Sequence, residues 1–244
     1  MKILYTTLIY QPLLNLLVFF YQYLPGHDAG IAIIALTLTV KLVLYPLSLQ
    51  SIRSQKALQT LQPKLEALKE KYKDNKEALA RATMELYKTE KINPLSSCLP
   101  LLIQLPFFLA LFQVFQHGLK GEGLNLIYRF LPAPESLDPV SFGILNLAAP
   151  SLILAALSGA AQFIQAKMLV TKPQPKVEGA KDEGMAAIMN KQMLYMMPIM
   201  TVFIGAKLPA GLSLYWLVST LLTIAQQWFM FRKNKEKMTE VSQK

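Results

Sequence analysis

Lys41 is a lone cation within the apolar run Gly30 to Leu49, and packing alone does not explain it. If this run crosses a bilayer, about eleven residues lie on one side of Lys41 and about eight on the other, at about 1.5 Å per residue. A lysine side chain can snorkel over only part of that distance. A charge at this depth costs on the order of 2.5 to 3.5 kcal/mol. The chemistry that this placement predicts is attraction of an anion.

No carboxylate is available to neutralise Lys41 from within the predicted membrane region, because all 15 Asp and Glu residues lie outside the five apolar runs. One explanation is that Lys41 caps backbone carbonyls freed by Pro46 or by the prolines of another helix. The favoured one is a cation in a water-filled cavity, open to a negative group from outside the protein. The polar residues expected to line this cavity are Thr37, Gln104, Gln113, Ser158, Gln162, Gln165, Thr201, Ser219, Thr223, Gln226 and Gln227.

Catalytic motifs are missing from the sequence. It has no Gly-rich phosphate loop, no nucleophile with an adjacent base and no pair of intramembrane carboxylates, so we predict a protein that is not an enzyme and needs no cofactor or metal. Cys98 is the single cysteine and cannot form an intrachain disulfide, and no acidic or cysteine cluster surrounds His27 or His117. The net charge of +10 is distributed over polar stretches between apolar runs, which predicts membrane topology and not nucleic-acid readout.

The elements that position Lys41 are predicted to be membrane helices, since 53% of the residues are hydrophobic and fall in long runs. We predict an all-α polytopic membrane protein of five transmembrane helices, at 30–49, 95–116, 145–166, 192–206 and 209–231. Lysine and arginine concentrate in 50–94, 167–191 and 232–244, which places these segments and the C-terminus in the cytoplasm and the N-terminus outside.

The N-terminal segment, residues 1–28, is predicted to contain an external amphipathic helix lying in the membrane interface. Thr7, Gln11, Asn15 and Gln22 recur at near-helical spacing and form a polar stripe. A sixth span and a signal peptide are the alternatives, but Pro12 and Asn15 interrupt the apolar core that a signal peptide needs.

The cytoplasmic stretch 50–94 is predicted to be a helical hairpin, since leucines recur at steps of three and four on either side of a break at 73–76. Pro63 is expected to break or start the first arm. Residues 167–191 are predicted to be a flexible connection, and 232–244 a short basic tail. A methionine stripe forms either a pliable apolar surface or a packing seam: Met185, Met189, Met193 and Met197.

Several collinear motifs resemble those of the YidC-type insertases and their mitochondrial Oxa and chloroplast Albino relatives. The similarity runs through TVKLVLYPL, KINPLSSCLPLLIQLPFFLALF, FIQAKM and LPAGLSLYWLVSTLLTIAQQ, over about residues 11 to 231. The resemblance implies a five-helix core around a hydrophilic groove, open to the cytoplasm and to lipid and closed outside. It also implies that the hairpin faces ribosomes or incoming chains.

The resemblance assigns roles to individual residues. A groove arginine of the family attracts the acidic external segment of a substrate, and Lys41 occupies the matching position. Lysine keeps the charge but lacks the planar fork of arginine, which leaves the strength of the attraction open. Gln165 and Trp216 match positions that contact substrate, Tyr215 lies beside the second, and Gln162 is the alternative one turn from Gln165.

The function that the resemblance implies is that of a membrane protein insertase or chaperone. The expected partners are nascent membrane proteins, the ribosome, the Sec translocon and the lipid bilayer, and a monomer is expected to function. The given sequence shows no match to the extra N-terminal span and large external domain of Gram-negative members and no Arg-rich transit peptide, so we expect a bacterial inner membrane. The alternative is a small-solute transporter or permease component, which polar residues in spans also fit.

Overall fold

The computed structural model describes residues 2–72, 75–93, 99–117, 126–132, 134, 137–169 and 192–242, and these are mostly helical. The predictions for Cys98, Met185 and Met189, for the break at 73–74 and for most of the 167–191 connection lie outside the described residues.

The N-terminal segment is one continuous helical rod: α1 (Lys2–Tyr5), a π-helical stretch (Thr6–Tyr10) and α2 (Gln11–Tyr23). Its polar stripe bonds to the segment before the β-hairpin, because the Gln11 and Asn15 amides each donate to the Leu126 carbonyl over 3.0 Å. Its opposite side packs on α3. By length and composition Ile3–Tyr23 is also long enough to cross a membrane. The interfacial placement therefore stays a prediction.

The first predicted span is broken. Helix α3 (Ala29–Val43) and helix α4 (Tyr45–Lys71) meet at Leu44 with a bend of 69°. The predicted span from Gly30 to Leu49 therefore contains parts of two helices. Pro46 explains the break, because it lies in the first turn of α4 and has no N–H to bond back into α3. Lys41 consequently lies in the last turn of α3.

Helices α4 and α5 (Lys76–Thr89) form the two arms that the leucine spacing predicts, and they pack against each other. Lys64 and Glu90 form an ion pair between the arms. Helix α5 begins at an Asn75 cap, whose side chain accepts from the Ala78 N–H over 2.9 Å. The prediction for Pro63 was wrong, since α4 continues through it to Lys71.

Helix α6 (Leu99–His117) leads to a segment that ends in a small antiparallel hairpin of β1 (Val140–Ser141) and β2 (Leu145–Asn146). Helix α7 (Leu152–Leu169) starts later than the predicted third span. Leu145 was therefore wrong as the start of the third predicted helix. The apolar residues that suggested a span there belong to the hairpin, and Pro150 separates them from the helix.

The last elements are a π-helical turn (Gln192–Met196), α8 (Met197–Gly205) and α9 (Ala210–Ser242). Helix α9 is central, since it packs against α3, α6, α7 and α8. It continues past Phe231, so the predicted basic tail is helical as far as Ser242. Small residues permit the close packing of α7 on α8: a Cβ on Gly159 would overlap the Val202 side chain.

The apolar core lies between α2, α3, α6 and α9. Its fully buried members include Leu14, Ile33, Leu36, Phe115 and Leu212. Among the described residues, two helices are long and apolar enough to cross a membrane, Ile3–Tyr23 and Leu152–Leu169, or three if the bent α3–α4 pair counts as one span. Shorter apolar helices occur at Gln104–Gln116 and Gln192–Gly205. The count of five spans stays a prediction.

Candidate functional site

The Lys41 ammonium contacts a neutral hydroxyl. Its Nζ donates to Thr223 Oγ1 of α9 over 2.9 Å, and that hydroxyl in turn donates to the Ser219 carbonyl over 2.9 Å. Lys41 also occupies the last turn of α3, where the partial negative charge of the helix C-terminus favours a cation. Within the described part of the chain, Lys41 forms no ion pair with a carboxylate. The charge is thus positioned but not neutralised.

Two adjacent glutamines, about one turn after Thr223, extend the polar side of α9. Ser48 of α4 donates to Gln226 Oε1 over 3.0 Å. Gln227 is fully buried, and neither atom of its amide has a hydrogen-bond partner among the described residues. This part of α9 therefore carries buried and half-buried polar groups whose hydrogen-bonding capacity is only partly used among the described residues.

Thr37 does not join this polar side. Its side chain is fully buried, and its hydroxyl donates to the Ile33 carbonyl of its own helix over 2.6 Å. The hydroxyl is satisfied by the preceding turn, as is common for threonine in membrane helices. The role of Thr37 in the groove beside Lys41 therefore stays a prediction, and its hydroxyl oxygen can still accept a hydrogen bond.

Tyr215 and Trp216 of α9 face α6. The Tyr215 hydroxyl is hydrogen-bonded to the Gln104 amide, and its ring is buried. The indole of Trp216 is half-buried and meets Phe108 edge to face, with ring centroids 5.5 Å apart.

Gln162 of α7 is hydrogen-bonded to Thr201 of α8, whose hydroxyl also lies 3.0 Å from the Met197 carbonyl. Gln165 is half-buried on the same helix. The candidate residues are thus joined pairwise across three interfaces: Lys41 to α9, Tyr215 to α6, and Gln162 to α8.

The opposite end of α3 is closed by Asp28. Its carboxylate caps the helix by accepting from Gly30 N and Ile31 N, at 2.7 and 3.0 Å. It also accepts from Ser141 Oγ at 2.5 Å and Phe142 N at 2.6 Å in the β-hairpin. Burial by itself would raise the pKa of Asp28, but these hydrogen bonds to the ionised form outweigh it and lower the pKa.

Sequence reasoning missed Asp28 and Ser48. The signal for Asp28 was its position directly before an apolar run, where an aspartate is a preferred helix cap. Ser48 lies in α4 beyond the bend at Leu44, and no sequence pattern indicated its bond to Gln226. Among the described residues, no group of three or more His, Cys, Asp or Glu could hold a metal ion.

Comparison with known families decides the assignment. The family described as "60Kd inner membrane protein" matches residues 19–237, which include every candidate residue named above. The chain belongs to this family. The resemblance noted in the sequence is therefore confirmed.

Members of the 60Kd inner membrane protein family with close sequence similarity are named "Membrane protein insertase YidC". The protein of Lawsonia intracellularis is 37% identical over 227 residues, which are 93% of this chain and 39% of that protein. The protein of Fusobacterium nucleatum is 36% identical over 204 residues, 84% of this chain and 86% of its own length. This chain thus spans well under half of the first relative and most of the second.

A solved member of the family has a similar structure. It is described as "Active YidC insertase crystal structure with the first transmembrane domain resolved", with a TM-score of 0.59 and 27% sequence identity. The match covers 90% of this chain and 46% of that one. The helical fold described above is therefore that of this family.

Proposed function

We propose that this protein is a membrane insertase, which accepts other membrane proteins in a hydrophilic groove and releases their apolar segments into lipid. The groove lies between α3, α7 and α9, with Lys41 as its cation. A nascent chain docks at the α4–α5 hairpin, and its short polar external segment enters the groove. The apolar segment then slides into lipid beside α7 and α9, driven by apolar burial and without a nucleotide or a metal.

The observation that carries the proposal is the bonding of Lys41. An ammonium has three donors, and within the described residues its side-chain partner is the neutral Thr223 hydroxyl. A charge held in this way retains bonding capacity for an acidic group, because no internal carboxylate competes for it. Names of the relatives support the same function.

The membrane arrangement is part of the proposal. We assign five spans to α3 with the start of α4, α6, α7, the Gln192–Gly205 segment and the first part of α9. The N-terminus and the β-hairpin lie outside, and the hairpin of α4 and α5 lies in the cytoplasm with the C-terminus. The N-terminal rod of residues 1–28 lies in the outer interface, supported by the bonding of its polar stripe to the Leu126 carbonyl. The location is a bacterial inner membrane.

Four further residues are proposed to contact the guest: Gln162, Gln165, Tyr215 and Trp216. Trp216 presents a half-buried indole and Gln165 a half-buried amide, so both remain accessible from one side. The ribosome and the Sec translocon are proposed partners at the cytoplasmic side, and a monomer is proposed to be functional.

Charge substitutions test the electrostatic step. Purified protein in liposomes is given a single-span substrate with an acidic external tail, and a matched substrate with a neutral tail. We expect Lys41→Glu to slow insertion of the acidic-tailed substrate about tenfold or more, equivalent to about 1.4 kcal/mol. Lys41→Arg should retain activity, and Thr223→Val controls for loss of the local hydrogen bond. Equal insertion by wild type, Lys41→Ala and Lys41→Glu would show that the charge has no role.

Photo-crosslinkers test the path of the guest. Probes at Gln165 and Trp216 should yield adducts with a ribosome-bound nascent chain, whereas a probe at the exposed, lipid-facing Leu157 of α7 should yield fewer. Adducts at Leu157 alone would move the path away from the proposed groove.

A further inference from the structure

The β-hairpin between α6 and α7 has the reverse of the polarity expected in water. Ser141 is buried and bonded to Asp28, whereas Phe142 is 59% exposed and Ile144 is 90% exposed. Residues 139–151 contain no charged side chain. Turns in contact with water normally carry polar residues. The tip of this hairpin therefore presents apolar side chains where a water-exposed turn would not.

The backbone of the tip has a conformation that is unfavourable for the aromatic residue it carries. Phe142 and Gly143 both have positive φ, 52° and 70°. Such pairs form tight hairpin turns that favour Asn, Asp or Gly at both positions. A bulky residue in this conformation is uncommon and costs free energy. Phe142 is thus present at the tip despite its backbone cost.

The hairpin is fixed rigidly to the helix ends around it. Asp28, at the start of α3, accepts from Phe142 N over 2.6 Å. Tyr21, near the end of α2, accepts from Asp138 N over 3.0 Å. At the start of α9, the N–H of Gly211 donates to the Leu147 carbonyl over 2.9 Å. The tip is therefore held at the level where two predicted spans, α3 and α9, begin.

We propose that the Phe142–Ile144 tip inserts into the lipid headgroup and acyl boundary of the leaflet where α3 and α9 begin. Lipid is the occupant, because the tip lies at the ends of membrane helices and carries no charge or side-chain donor to fix a protein partner. The inference requires that α3 and α9 span the bilayer but not that the protein has insertase activity.

Fluorescent probes on single cysteines test this inference. In a Cys98→Ser background, a nitrobenzoxadiazole probe is attached after Ile144→Cys, and separately after Phe142→Cys. Two control sites are about as exposed as Phe142: Met84 on the cytoplasmic arm α5 is 56% exposed, and Ile164 on α7 is 53% exposed. Each labelled protein is reconstituted alone into phosphatidylcholine–phosphatidylglycerol vesicles, with spin-labelled lipids whose quencher lies near the headgroup or near the chain end.

The hairpin probes should be quenched more by the shallow spin label than by the deep one, and iodide should quench them at least about threefold less than the probe at Met84. The Ile164 probe should respond most to the deep label. Matching iodide access at Ile144, Phe142 and Met84, without quenching by either lipid, would overturn the proposal. Because no guest protein is present, this outcome is independent of whether insertion occurs.

Discussion

The two ends of α3 use polar groups in opposite ways. At its start, the Asp28 carboxylate accepts four hydrogen bonds, which join the helix cap to the β-hairpin. At its end, Lys41 has a single described partner, the neutral Thr223 hydroxyl. The buried amide of Gln227 nearby has none among the described residues. The hydrogen-bonding capacity at the Asp28 end is used within the protein, whereas groups at the Lys41 end retain unused capacity among the described residues.

This difference shows how one helix bundle can have its polar groups satisfied internally at one end and available to a ligand at the other. A buried charge whose partners all lie within the protein stabilises the fold and offers little to a ligand. A buried polar group without partners costs stability but can bind a guest that supplies them. The Asp28 end of α3 is therefore expected to determine stability, and the Lys41 end to determine the proposed activity.

Removing the Asp28 carboxylate should have the largest effect on stability. We expect Asp28→Ala to lower the free energy of unfolding by about 3 kcal/mol, since it deletes the α3 cap and leaves hairpin donors unpaired. Asp28→Asn should cost less, because its amide oxygen still accepts from the helix N–H groups. Denaturant unfolding in detergent micelles measures both. Equal losses in the two variants would contradict this account.

Disturbing the close packing at the start of α3 should have the second-largest effect on stability. A Cβ on Gly30 would overlap the Ser141 hydroxyl, so Gly30→Ala should cost about 2 kcal/mol of unfolding free energy. Gly26 has open space around it but a φ of 85°, so Gly26→Ala should cost only about 1 kcal/mol, from backbone strain. Thermal unfolding of the pair separates the steric contribution from the dihedral one. A larger loss at Gly26 would show that the hairpin contact is loose.

Near the Lys41 end of α3, removing one polar side chain should raise the free energy of unfolding instead of lowering it. Gln227→Leu removes an amide that lacks described partners and should raise the free energy of unfolding by about 1 kcal/mol. Gln226→Leu, which loses the bond to Ser48, should instead lower it by about 1 kcal/mol. If both variants are destabilised equally, the contrast between the two ends of α3 is wrong for Gln227. Insertion assays on the Gln227 variant would then show whether added stability reduces activity.

The smallest effect should come from acid. The pKa of Asp28 in the folded protein lies below its ordinary value of 3.8, so ionised Asp28 stabilises the fold above that pH. This contribution is lost as the pH falls below 3.8 through the folded pKa. We expect the unfolding midpoint of the wild type to fall more steeply there than that of Asp28→Asn. Parallel profiles would show that other carboxylates control acid unfolding.

The sequence predicted the helices well but not their ends or partners. Long apolar runs indicate helices whatever their neighbours, and the leucine spacing in 50–94 indicated both α4 and α5. Pro46 was recognised as a source of free carbonyls but not as the cause of a 69° bend, because proline can also kink a helix only slightly. Leu145 was misassigned because an apolar hairpin and the start of a span have the same composition.

Part of the candidate site was also predictable. Lys41 was evident from its surroundings, and Thr223 was among the residues expected to line its cavity. That these two residues pair depends on how α3 crosses α9, which no local pattern encodes. Thr37 lies one turn before Lys41, as its spacing indicated, but the donation of its hydroxyl to the Ile33 carbonyl was not evident from the sequence.

The single-residue junction at Leu44 has a mechanical consequence. Helix α4 extends about 40 Å beyond it, whereas Lys41 lies about 4.5 Å before it, at about 1.5 Å per residue. A rigid arm of that length acts as a lever, so a sideways displacement of about 10 Å at its tip corresponds to a rotation of about 14° at the junction. Force applied to the distant arm would therefore reach the backbone beside the lysine as torque.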